Sequence, residues 1–162
     1  MNHAQLVKRA IKWLWSQGCA VVISEMAGSG QEPDAIGFCP THSILIECKA
    51  SRSDFLADKN KSYYRTGHSM GDRRYYLSQK DIIKREEVLE GWGLLYPTEK
   101  TMRIIESSKW FADKDYGSEI HLLISAMRRI KGKSGKGVSV KFYTYQTNNR
   151  ATLGIIKEIQ ND

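Results

Sequence analysis

Residues 44–49, Ile-Leu-Ile-Glu-Cys-Lys, constrain the chain more than any other stretch. Their β-branched and apolar start is that of a buried strand, yet the run ends in Glu47, Cys48 and Lys49. Side chains along a strand alternate faces, so Glu47 and Lys49 project to one side and Cys48 to the other. A second apolar run, residues 35–39, begins just after Asp34, and the two runs are joined by Pro40-Thr41-His42-Ser43. A tight turn between two strands makes a hairpin, which brings Asp34 beside Glu47. Two acids and a lysine on a half-buried sheet are costly unless something pairs them. A bound divalent cation is an economical partner, because hard cations take carboxylate oxygens.

The 162 residues are read as a single domain. Its core is expected over about residues 3–106, with a helix-and-strand extension over about residues 113–147. No apolar run nears the roughly 20 residues of a membrane helix. The start, Met1-Asn2-His3-Ala4-Gln5, lacks the basic-then-apolar form of a secretory signal. Cys19, Cys39 and Cys48 are an odd count among apolar neighbours, which predicts reduced, buried thiols in a cytoplasmic setting. The hairpin leaves Cys39 and Cys48 as a candidate cross-strand pair. The formal charge of +7 and pI of about 9.3 suit a polyanionic partner, although a merely basic surface would show the same balance.

In chain order, residues 3–17 read as an amphipathic helix and residues 19–24 as a strand ending at Glu25. Gly28-Ser29-Gly30 fits neither phosphate-binding glycine pattern and reads as a turn. After the hairpin, Ser51-Arg52-Ser53-Asp54 has the capping-box form and opens a helix with Phe55 and Leu56 toward the sheet. Residues 66–72 read as a mobile loop and residues 73–77 as a strand. A second capping box, Ser78-Gln79-Lys80-Asp81, predicts a helix over 82–89. Residues 93–96 and 102–106 form a second hairpin. A helix over about 118–130, a basic glycine-rich linker and a strand over 138–145 complete the chain. The fold class is α/β or α+β: a mixed central sheet flanked by helices, beginning in the order αβββαβ.

Pro33-Asp34 followed by Glu47-Cys48-Lys49 at a strand end resembles the Pro-Asp…(Asp/Glu)-x-Lys signature of the restriction-endonuclease-like nuclease superfamily. Glu25, Pro33-Asp34, the 46–51 run, the 53–59 run, Tyr63 and Trp92-Gly93-Leu94-Leu95 are together similar to its MmcB-like DNA-repair branch and phage-borne relatives. The similarity covers roughly residues 5–106. It implies metal-dependent hydrolysis of DNA phosphodiesters, in repair, recombination or phage DNA processing. Asp34, Glu47 and the Cys48 backbone carbonyl would hold Mg²⁺ or Mn²⁺, with Glu25 a third acid acting directly or through water. Lys49 would orient the attacking water and help deprotonate it. A homodimer is an arrangement many such enzymes adopt. The same fold could instead hold DNA without cutting it, or serve as an interaction part of a phage or mobile element.

DNA contact is expected from Lys59, Lys61, Tyr63, Tyr64, Arg65, Arg73 and Arg74, which interleave cations with aromatics. Arg128, Arg129, Lys131, Lys133 and Lys136 form a second basic group, which reads slightly better as a solvated helix end and linker than as a DNA contact. Ser51 and Ser53 read as helix caps; Ser53, Asp54 and Asp58 could serve the site from the helix start, but capping and solvated charge are the preferred readings for all three. His3, His42, His68 and His121 are scattered without metal-ligand spacing.

Overall fold

The apolar spacing near the start of the chain becomes helix α1, His3–Ser16, in a computed structural model that describes residues 1–26, 31–58 and 68–131. Asn2 caps it. The Gln5 N–H donates to the Asn2 side chain, and the Asn2 N–H donates to the Gln5 side chain. Leu6, Val7, Ala10, Ile11, Trp13 and Leu14 form its buried stripe.

One sheet carries six strands in chain order: β1 Val21–Ser24, β2 Ala35–Phe38, β3 Ser43–Lys49, β4 Arg73–Ser78, β5 Gly93–Pro97 and β6 Met102–Glu106. The β1–β2, β2–β3 and β5–β6 pairs are antiparallel, whereas β3–β4 and β4–β5 are parallel. Parallel neighbours need a long crossover, and helix α2, Arg52–Asp58, lies in the one between β3 and β4. The last described helix is α3, Tyr116–Lys131. The architecture is therefore mixed α+β, with a mixed sheet and three α-helices among the described residues.

Alternation along the strands splits the core into two layers. Ile44, Ile46, Cys48, Tyr75, Leu77 and Leu95 pack with α1. Leu45, Tyr76 and Leu94 pack with Phe55, Met70, Ile83, Trp92 and Leu122 on the other face. There Tyr76 stacks on Trp92 at 4.6 Å and meets Phe55 edge-on at 5.3 Å.

Four local expectations are corrected. Residues 82–89 are not an α-helix; only a 3₁₀ turn, Arg85–Glu87, forms there. Two carbonyls that a helix would use are taken by side chains, Ile82 O by Arg52 and Ile83 O by the Tyr96 hydroxyl. The described part of the expected mobile loop is fixed: Ser69, Met70 and Asp72 are buried, and Gln31 binds both the Ser69 hydroxyl and the Met70 N–H. Leu56 is 46% exposed rather than facing the sheet. Cys39 and Cys48 are not neighbours, because β3 runs from Ser43 beside the turn to Lys49 at its far end. Five residues of strand separate Ser43 from Cys48, about 17 Å at ~3.3 Å each. The glycine-rich turn at 28–30, the linker beyond Lys131 and the strand expected at 138–145 lie outside the described residues.

A polar network at the start of β3 joins it to the chain before β4 and to α3. Lys114 Nζ lies 2.6 Å from Asp72 Oδ2, 2.9 Å from Glu119 Oε2 and 3.0 Å from Ser43 Oγ. The Ser43 N–H donates to Asp72 at 2.7 Å and the Gly71 N–H to Glu119 at 2.8 Å. Burial works against the Asp72 carboxylate, but hydrogen bonds from Lys114 and Ser43 outweigh it and hold the group below its ordinary 3.8. Burial likewise opposes the Lys114 ammonium, and Asp72 and Glu119 overcome it and hold the group above 10.5.

A depressed carboxyl stabilises the fold above its unfolded value and loses that contribution as pH falls through the lower folded value. A raised ammonium stabilises below its unfolded value and loses that contribution as pH rises through the higher folded value. The network therefore contributes fully between about pH 4 and pH 10. Urea midpoints measured across pH should fall on the acid side below this window, and Asp72→Asn should remove part of that acid dependence.

Candidate functional site

β3 is buried along its whole length, so the charges at its end sit in the interior. Glu47 is 2% exposed and Lys49 4%. By alternation both share the face of Leu45, on which α2 lies. Lys49 Nζ is 3.3 Å from Glu47 Oε2 and 2.8 Å from Asp58 Oδ2. The register Ala35↔Ile46 sets Asp34 at the level of Glu47, and Asp34 Oδ2 accepts the Cys48 N–H at 2.7 Å. The Pro-Asp element is thereby tied to the Glu-x-Lys strand. His3, the first residue of α1, brings Nε2 to 3.5 Å from Asp34 Oδ1 and 3.7 Å from Glu25 Oε1.

Glu25 stands at the rim. Its side chain is 55% exposed, its backbone lies in the left-handed region at φ 50, and its N–H donates to the Asp34 carbonyl at 3.3 Å. A non-glycine residue in that region is uncommon and costs local strain.

Burial pushes the Asp34 carboxyl above 3.8, against Lys49, the Cys48 N–H and His3, which pull it down. Burial alone would lower the Lys49 ammonium, but Glu47, Asp58 and Asp34 outweigh it and hold Lys49 firmly protonated above 10.5. Burial and then the charges of Asp34 and Glu47 drive the Cys48 thiol well above 9.0, which leaves it inert as a nucleophile.

Glu25, Asp34, Glu47 and Lys49 thus come to one end of the sheet. Two residues join them: Asp58, which the sequence allows at the site while favouring solvated charge, and His3, to which it does not point. Asp58 is buried and ion-paired rather than solvated; it lies three positions after the buried Phe55, hence on the same helix face. His3 arrives only through the packing of α1, for which the sequence holds no local signal. Ser51 caps α2 as expected, its hydroxyl accepting the Asp54 N–H at 3.2 Å.

The expected DNA-contact set is corrected in part. Arg74 is 0% exposed. It donates to the carbonyls of Ser69, Met70 and Gly71 and lies 3.9 Å above the Phe111 ring. It is a structural cation and cannot reach DNA. Arg73 pairs with Ile44 in register, at the end of the sheet opposite Lys49, where it binds Ser108 O and lies over Trp110. Lys59, Lys61, Tyr63, Tyr64 and Arg65 lie outside the described residues. Of the second basic group, Arg128 and Arg129 are on α3, while Lys133 and Lys136 also lie outside.

Among the described residues, no group of three or more His, Cys, Asp or Glu is disposed to hold a metal ion. Asp34 and Glu47 with the Cys48 carbonyl are a smaller set of hard oxygens. Mg²⁺ is commonly held by one or two carboxylates with water and substrate phosphate completing its shell, so this donor chemistry fits such an ion bound together with substrate.

No family model matches the chain, and no curated protein matches it. Among solved structures, it is similar to a protein of unknown function from Silicibacter pomeroyi, at 22% identity and a TM-score of 0.60, over 81% of this chain and 90% of that one. At that identity the likeness concerns the fold alone.

Proposed function

We propose that the chain is a metal-dependent deoxyribonuclease of the restriction-endonuclease-like kind, hydrolysing DNA phosphodiesters. The supporting observation is the hydrogen bond from the Cys48 N–H to Asp34, which joins Pro-Asp to a strand ending in Glu47 and Lys49. The element order α1-β1-β2-β3-α2-β4 supports the reading.

Asp34, Glu47 and the Cys48 carbonyl would hold Mg²⁺ or Mn²⁺, which when bound lowers the pKa of a water and polarises the scissile phosphate. Lys49, held as an ammonium by two carboxylates, is suited to offset charge on the phosphoryl oxygens rather than to accept a proton. Glu25 at the rim can orient water from the solvent side.

A different basic surface lies on the α1 face of the sheet, the face opposite Glu47 and Lys49. β3, β4 and β5 run parallel, so the turn after Pro97 emerges at the same sheet end as Lys49. There Arg9, Lys12, Glu99 and Lys100, with Trp13, line a groove of about 290 Å³, and Arg9 donates to the carbonyls of Thr98, Glu99 and Thr101. A phosphate backbone suits such a cationic groove.

The test is incubation of the full chain with Mg²⁺ or Mn²⁺ and single-stranded, flap, nicked and duplex DNA. Cleavage that stops when the metal is chelated is expected; inactivity on every substrate with either metal would overturn the proposal. A second reading, a DNA-binding module without cleavage, is favoured by the hold of Glu47 and Asp58 on Lys49. It would show as a salt-sensitive gel shift with the DNA left intact.

A further inference from the structure

Cys19 follows the end of α1, and Cys39 follows β2. Their sulfurs lie 2.6 Å apart, closer than two non-bonded sulfurs rest. Backbone hydrogen bonds fix both positions. The Cys19 N–H donates to Leu14 O, the neighbouring Ala20 N–H to Phe38 O, and the Cys39 N–H to His42 O. Gly37 makes the space: a Cβ there would sit 2.7 Å from the Cys19 sulfur and 3.0 Å from Leu14 Cδ2. The third thiol, Cys48, is buried at the far end of β3.

We propose that Cys19 and Cys39 are a dithiol modification site, which low-molecular-weight disulfides of the glutathione class oxidise to an intramolecular disulfide. Cys39 is half-buried, whereas Cys19 is 2% exposed. Burial and the neighbouring Cys39 also push the Cys19 thiol far up, so the first attack falls to Cys39. The Cys39 thiolate attacks one sulfur of the oxidant, forming a mixed disulfide and releasing one thiolate. Cys19 then gives its proton to solvent and attacks the Cys39 sulfur, expelling the second thiolate. Two protein thiols are oxidised, one external disulfide is reduced to two thiols, and a new sulfur–sulfur bond ties the end of α1 to the end of β2. The site lies at the sheet end opposite Asp34 and does not depend on the proposed nuclease activity.

The full chain is treated with oxidised glutathione, denatured in an alkylating reagent and mapped by peptide mass. Of three thiols, one should remain, on Cys48, and the peptides of Cys19 and Cys39 should be linked with loss of two hydrogens. The oxidised protein should melt at a higher temperature, and dithiothreitol should reverse the shift. Cys39→Ser should keep both remaining thiols and show no melting shift. Three surviving thiols, a stable glutathione adduct on Cys39, a bridge to Cys48 or a disulfide-linked dimer would each overturn the proposal. Cys48→Ala, treated alike, should lose both of its thiols; retention of both would overturn it equally.

Discussion

Lys49→Ala should destabilise the protein by about 3–5 kcal/mol, the usual cost of removing one partner from a buried ion pair. The size follows from what is left behind. Glu47 and Asp58 are 2% and 3% exposed, and Lys49 pairs with both. Without it, two buried carboxylates lose a shared cation in a medium that penalises charge. Urea unfolding of the variant measures the loss. A midpoint unchanged from the parent would mean that the pair is solvated and the buried cluster misread. Pairing Lys49→Met with Glu47→Gln should return part of the stability, since one surplus negative charge is then gone; a double-mutant cycle reads that coupling.

Glu47→Gln should act in the opposite way, leaving the fold intact while removing cleavage. Among the described residues, Asp34, Glu47 and Asp58 around Lys49 give the cluster more negative than positive charge when all are ionised. Neutralising Glu47 brings it nearer balance, and Asp58 keeps Lys49 paired. The urea midpoint should therefore fall far less than in Lys49→Ala. Metal-dependent cleavage should drop by more than the roughly 10–100-fold typical of disturbing a partner behind the ligands, because a proposed ligand itself is altered. Full cleavage by this variant would remove Glu47 from the reaction. Loss of folding would instead place it among the structural residues, so the two substitutions together separate the roles.

The centre of the site was legible because it rests on local rules. Alternation along β3 set Glu47 and Lys49 on one side, and the hairpin turn set Asp34 opposite Glu47. The stripe of α1 was equally plain from its spacing. Asp58 and Arg74 were misassigned although signals existed. Asp58 lies one helical turn from Phe55, and Arg74 shares the inward face of Tyr76 two residues on. In both cases charge alone favours a surface position, whereas here each meets buried partners. His3 and Lys114 could not have been found, since each joins its cluster across long sequence separations. The 82–89 segment failed as a helix because carbonyl partners came from Arg52 and Tyr96, distant in sequence.

The charged clusters at the two ends of β3 have a consequence for strand pairing. Ser43, Leu45, Glu47 and Lys49 share one face, and Ile44, Ile46 and Cys48 the other. A slip of one residue would exchange the faces. It would press Glu47 and Lys49 into the apolar layer beneath Trp13 and Leu14, and pull Ser43 away from Asp72 and Lys114. The middle of the strand, apolar on both faces, would tolerate either alignment. It is the ends that allow only one, so the residues proposed to carry the chemistry also keep the sheet in step.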